Sequence, residues 1–220
     1  MSLDSVTIPN YTRKQETFNA ISHALGILIA IFVFVFGLVE YVNKLIPLWH
    51  LFGLTIFAVT TLMVYFISAF YHYLDKDNKY KKLLRILDHC TIYLLIAGTY
   101  TPICFVVYQE HIIGLIMLII EWSGAIIGII LNAFFFNNKA AKIISFILYI
   151  LMGWLALYSG GFLHMDKLVF LFILLGGIAY TIGSILYAIG HKKPIYHSIF
   201  HVFVLVSTII QCIGVLLLIR

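Results

Sequence analysis

Seven apolar runs alternate with short polar segments along this chain. They cover roughly Phe18–Val42, Leu48–Tyr71, Leu84–Val107, Ile112–Leu131, Ala140–Tyr158, Leu168–Ile189 and Ile195–Ile219. A helix needs about 20 mostly apolar residues to cross a bilayer, and each run supplies that length. The pattern therefore predicts an all-α protein, an integral membrane bundle of seven transmembrane helices. Pro47 and Pro194 fall just outside runs, where a missing amide donor does little harm, whereas Pro102 lies inside the third and predicts a kink. No linker, low-complexity tract or internal repeat divides the pattern. Residues 1–220 form one seven-helix domain, preceded by a short cytoplasmic tail over residues 1–15.

Composition agrees with the pattern. The chain has 220 residues, is 63% hydrophobic and only 10% charged, with a mean hydropathy of +1.06. A soluble domain carries about a quarter charged residues, which excludes an ordinary soluble fold. The first apolar run is too long for a signal-peptide core and is expected to be a retained span. The basic balance could suggest nucleic-acid binding, but the cations lie in short loops between apolar runs, as membrane topology requires. Cys90, Cys104 and Cys212 form no CxxC and lie within apolar sequence, so buried packing is expected rather than a disulfide framework.

Those cations orient the bundle. The N-terminus and alternate loops hold Arg13, Lys14, Lys76, Lys79, Lys81, Lys82, Arg85, Lys139, Lys142, Lys192 and Lys193, and the opposite side holds only Lys44, Lys167 and Arg220. Eleven against three predicts a cytoplasmic N-terminus and a C-terminus outside the cell membrane.

With that orientation, a polar constellation falls at one depth. Ser68 and His72 in SAFYH, and His197 and His201 in HSIFH, are pairs four residues apart, so each pair shares a helix face about one turn apart. His72 ends the second run, Asp88 begins the third and the His197/His201 pair begins the seventh, all toward the cytoplasmic side. Ionisable groups are costly at membrane depth and rarely sit there without a function. Three imidazoles match a Zn²⁺ site with water in an open fourth position, which Asp88 can orient and deprotonate while Ser68 donates to a developing oxyanion. The bland alternative is that these histidines only hydrogen-bond between helices, which is the usual fate of a lone intramembrane histidine.

Other polar residues carry less information. Glu16, Asn19 and His23 share one face at the cytoplasmic end of the first run, and either line the same cavity or face water. Glu121 falls near the middle of the fourth run, where an unpaired carboxyl marks a candidate polar path. Tyr93, Tyr100 and Thr101 are placed toward the bundle interior, and His89 on a different face from Asp88. Solvated or interfacial places are expected for His50, His111, His164 and His191. Gly176, Gly177 and Gly183 are expected to permit close helix contact.

The segments ETFNAISHALG, SAFYH, LDHCTIYLLIAGTYTP and HSIFHVFVL resemble the hemolysin III family, the bacterial branch of the progestin and adipoQ receptor superfamily. The resemblance spans essentially the whole chain. It implies a seven-helix fold with zinc near the cytoplasmic face, ligated by His72, His197 and His201 and contacting Asp88 through water, and it matches Ser68 to the family's motif serine. The wider group resembles alkaline ceramidases, which implies hydrolysis of a lipid amide or ester such as a ceramide-like acyl lipid. The receptor branch has a long N-terminal domain where this chain has a short tail, which disfavours a hormone-receptor role. Two other functions compete with the zinc hydrolase: a cytolytic, pore-forming protein, as the family name says, and a membrane-state sensor with structural zinc. A retinal-type pigment is disfavoured because the seventh run has no lysine for a Schiff base.

Overall fold

Apolar length sets where the helices run, and capping sets where several of them begin. The computed structural model describes residues 3–107, 112–159, 165–190 and 194–219. After a 3₁₀ turn at Leu3–Ser5, the described residues form eight α-helices: α1 Arg13–Val42, α2 Leu48–Tyr73, α3 Lys81–Val107, α4 Ile112–Phe135, α5 Lys139–Gly153, α6 Leu155–Tyr158, α7 Lys167–Gly190 and α8 Ile195–Leu218. Thr12 caps α1 in a reciprocal capping box with Gln15, and the Asn138 side chain accepts from the Ala141 amide at the start of α5. Pro47 and Pro194 stand immediately before α2 and α8.

Six of these helices, α1, α2, α3, α4, α7 and α8, are long and apolar enough to cross a membrane. The run expected as a single fifth span, Ala140–Tyr158, is instead two helical pieces, α5 and α6, broken at Trp154. The break is closed by one side chain. The Tyr100 hydroxyl accepts from the Ala156 amide at 2.9 Å and donates to the Gly153 carbonyl at 3.2 Å. Backbone groups freed by a break inside an apolar bundle need such partners, since apolar side chains offer none. The Trp154 indole donates to Thr181 Oγ1 at 3.1 Å and ties the break to α7.

Consecutive helices α1 to α5 pack side by side, α8 closes onto α1 and α3, and α7 packs along α8. The centre is α3, which touches α2, α4, α5 and α8. It is both the most buried of the six long helices and the least apolar. A helix surrounded by protein can carry polar side chains that find partners there, whereas a lipid-facing one cannot. Thr101 donates to the Ala97 carbonyl and accepts from the Trp122 indole, and Tyr93 stacks on Tyr149 with ring centroids 4.2 Å apart. These residues therefore serve packing around α3. Close approach is enforced by missing side chains: a Cβ at Gly98 would lie 1.9 Å from Thr60 Oγ1, and one at Gly128 would lie 2.1 Å from the Tyr93 ring. On α7, Gly176 and Gly183 meet α8 as expected, but Gly177 has open space before it. All three cysteines are free and buried.

The N-terminal segment is folded onto the end of the bundle. Val6 is buried against Ile86, Cys90 and Phe136, and the Asn137 amide donates to both the carbonyl and the hydroxyl of Ser5 at 2.9 Å. Lys76 bonds Asn10, and Arg13 pairs with Asp75 at 2.6 Å.

Removing the Tyr100 hydroxyl strands a buried amide and a carbonyl together. Tyr100→Phe is expected to lower stability by about 1–3 kcal/mol, read as a shift of the unfolding midpoint in detergent.

Candidate metal centre

Three helix ends build this centre. His72 lies in the last turn of α2, and His197 and His201 lie on successive turns at the start of α8. All three are buried, and one ligand atom from each falls within 4.8 Å of the others, a spacing that can hold a metal ion. His201 Nε2 is 3.0 Å from His197 Nε2, which is 3.4 Å from His72 Nε2. Three nitrogens thus converge on one point.

The far side of His72 is held by residues whose role the sequence pattern left open. Glu16 Oε2 lies 2.5 Å from His72 Nδ1, and Lys81 Nζ donates to Glu16 Oε1 at 2.9 Å. An ionised carboxylate only accepts, so the His72 proton sits on Nδ1 and the Nε2 lone pair faces the other imidazoles. Lys81 supplies the counter-charge. It is fully buried, donates also to the Leu74 carbonyl at 2.7 Å and lies 4.7 Å from the centre of the Tyr71 ring. A residue counted as a loop cation for topology is therefore part of the centre's support.

His23, four residues after Asn19 on α1, stands over His201 with ring centroids 3.9 Å apart and lies edge-on to Tyr65 at 5.1 Å. Of the two dispositions open to Glu16, Asn19 and His23, all three face inward. The side-chain polar atoms of Asn19 and His23, with His201 Nδ1, are buried without hydrogen-bond partners among the described residues. Such a cluster is unusual in a native interior and marks a place built for water or an ion. Tyr11 closes the outer side, stacked on His197 at 5.0 Å with ring planes 14° apart. Burial pushes its hydroxyl pKa up, so Tyr11 stays protonated.

A cavity of about 420 Å³ opens beside the imidazoles. His197, His201, His23, Ser68 and Asp88 line its polar end, while Ile92, Leu95, Ile96, Phe146 and Val204 line its length. Its volume lies in the range of small-molecule sites. His89, expected on a different face from Asp88, lines the cavity as well. Its Nδ1 donates to the Arg85 carbonyl at 2.8 Å and its Nε2 accepts from the Tyr187 hydroxyl at 2.7 Å. Tyr187 also lines the cavity, 5.7 Å from the His197 ring centre. Glu121 is buried in α4 with no hydrogen-bond partner among the described residues, and it does not line this cavity. His50 is half-buried, and its ring nitrogens likewise lack partners there. His111, His164 and His191 lie outside the described residues.

Residues 11–212 match the family described as Haemolysin-III related. The chain is 38% identical over 197 residues to the hemolysin-3 homolog of Bacillus subtilis (strain 168), covering 89% of this chain and 90% of that protein. It is 35% identical over 195 residues to hemolysin-3 of Bacillus cereus, covering 87% and 86% respectively. The chain belongs to the hemolysin III family.

Glu16 touches an imidazole without joining the cluster, and it also answers the buried charge of Lys81. Glu16→Gln is expected to weaken divalent-metal affinity about 10–100-fold, measured by competition with a chromophoric chelator.

Proposed function

We propose that this hemolysin III protein is a zinc-dependent hydrolase of an acyl lipid, cleaving an amide or ester bond at the inner end of its cavity. The convergence of three buried imidazoles beside that cavity carries the proposal. Zinc–nitrogen bonds of about 2.0–2.1 Å at tetrahedral angles put neighbouring ligand nitrogens about 3.3 Å apart, close to the 3.0 and 3.4 Å spacings of His72, His197 and His201. The donor set suits zinc, with neutral imidazole nitrogens and a carboxylate-supported ring.

His72, His197 and His201 would hold the ion, with Asp88 reaching it through water. Zinc held there would supply a Lewis acid and make hydroxide available near neutral pH. Asp88 accepts the proton of the attacking water and returns it to the leaving group. Ser68, one turn deeper than His72, donates its hydroxyl to the carbonyl oxygen as negative charge develops there. The apolar length of the cavity receives the acyl chain. Entry from the bilayer is supported by the place of the cavity between α5 and α7, which among the described residues do not pack extensively on each other, Trp154 just beyond α5 bonding Thr181 of α7.

Orientation belongs to the same proposal. α5 and α6 together run from Lys139 to Tyr158, about 30 Å at 1.5 Å per residue, and serve as the broken fifth of seven spans in the cell membrane. The N-terminus is cytoplasmic, the C-terminus outside, and the metal centre near the cytoplasmic face. A phosphatase fused after Arg220 is expected to be active and a green fluorescent fusion dark. The opposite pattern contradicts seven spans with this orientation.

Turnover is tested with zinc-loaded protein in nanodiscs and a panel of lipid amides and esters. Fatty-acid release is expected from wild type and not from His72→Ala. Ser68→Ala is expected to keep its zinc and lose about 10²–10³ in rate. Asp88→Asn is also expected to keep zinc while losing most turnover. No release above the His72→Ala control on any lipid overturns the hydrolase.

A further inference from the structure

Two cations stand at the polar end of the cavity, apart from the imidazole cluster. Arg85, in the second turn of α3, and Lys142, in the first turn of α5, both line the cavity. They converge on one buried ring: the Arg85 guanidinium carbon is 5.4 Å and Lys142 Nζ 5.9 Å from the centre of Phe136. Lys142 lies close enough to Arg85 to feel its charge, which is repulsive. Neither forms a salt bridge among the described residues, whereas Arg13 has Asp75 and Lys81 has Glu16. α5 contains no acidic residue, and the one acid of α4, Glu121, is 15 positions from Phe136, about 22 Å along a helix. Among the described residues the acid that faces Arg85 is Asp88, three residues on and about 4.5 Å further along the axis, and it also lines the cavity and feels the Arg85 charge. Two cations on one ring, against the single carboxylate of Asp88 and with no salt bridge among the described residues, leave an excess of positive charge at the rim of the cavity, and such an excess makes a site for an anion.

We propose that Arg85 and Lys142 form a subsite for the phosphate of a phosphate-bearing acyl lipid, so that the lipid taken into this cavity is a phospholipid rather than a neutral ceramide-like amide. The substrate role rests on the hydrolase proposed above; binding itself does not. The guanidinium fork matches two phosphate oxygens, and Lys142 adds a point charge beside it. Register supports the class. In a glycerophospholipid the phosphate and the nearer acyl ester are only a few bonds apart. A phosphate at Arg85 therefore leaves the ester carbonyl about one turn deeper, at the level of Asp88, and the chain in the apolar part of the cavity. A neutral amide lipid offers hydroxyls to the two cations and leaves their charge unanswered.

The test is equilibrium binding to full-length protein in a neutral detergent, using dioctanoyl phosphatidylglycerol against dioctanoylglycerol, which has the same chains without phosphate. Wild type is expected to bind the phosphate lipid at least about tenfold more tightly. The double variant Arg85→Gln/Lys142→Gln is expected to lose that preference while keeping dioctanoylglycerol binding and metal content. Lys142→Gln alone, at an exposed position, removes part of the preference without endangering the fold. Lys14→Gln/Lys79→Gln removes equal charge from exposed positions and is expected to leave the preference intact. The subsite is overturned if wild type shows no preference, if the Arg85/Lys142 variant retains it, or if the Lys14/Lys79 variant loses it equally. Displacement by millimolar inorganic phosphate would make it a free-anion site, and an equal charge-dependent gain for octanoate a carboxylate site; either overturns the assignment. Wild type that prefers the phosphate lipid yet cleaves no lipid removes the hydrolase and leaves the subsite standing. Cleavage of neutral lipids without any binding preference does the reverse.

Discussion

Glu16 shared between His72 and Lys81 is the contact on which the rest of the centre depends. A carboxylate and an ammonium are costly to bury, and here each is answered by the other and by further polar contacts. The pair joins the first turns of α1 and α3 to the last turn of α2. It fixes the ring of His72, and through that ring the point on which His197 and His201 converge. Removing one partner would leave a buried charge unanswered, so the three helix ends are held in mutual register by electrostatics as well as by packing.

The same need to satisfy polar groups accounts for the architecture. α3 is the least apolar long helix because it is the one surrounded by protein. Along it, Asp88 and His89 line the cavity, Tyr93 and Thr101 pack against neighbouring helices, and Tyr100 closes the broken backbone at Trp154. The unsatisfied polar atoms of Asn19, His23 and His201 gather instead at the imidazoles, where water or an ion can answer them.

Much of this was legible in the chain. Apolar run lengths predicted the long helices, because hydrocarbon thickness imposes that length directly. The two i, i+4 pairs and the charge asymmetry predicted that His72, His197 and His201 approach one depth, and the structure brings their nitrogens within 4.8 Å. Contacts between distant elements were not legible. Lys81 reads as a loop cation unless Glu16 is known to lie beside it, and Tyr11 belongs to a polar tail with no periodicity to show that it folds back onto His197. The break at Trp154 was hidden because hydropathy measures apolar length and is blind to a backbone interruption that Tyr100 repairs from another helix. Of Glu16, Asn19 and His23, spacing gave the common face but not what the face met.

X-ray absorption at the zinc edge, on wild-type protein purified without chelators, tests the metal centre most directly. The expected spectrum has four nitrogen or oxygen neighbours at about 2.0–2.1 Å with the outer-shell scattering of three imidazoles. A sulfur shell near 2.3 Å, an all-oxygen shell, or the absence of metal at stoichiometric level would contradict a zinc centre at His72, His197 and His201.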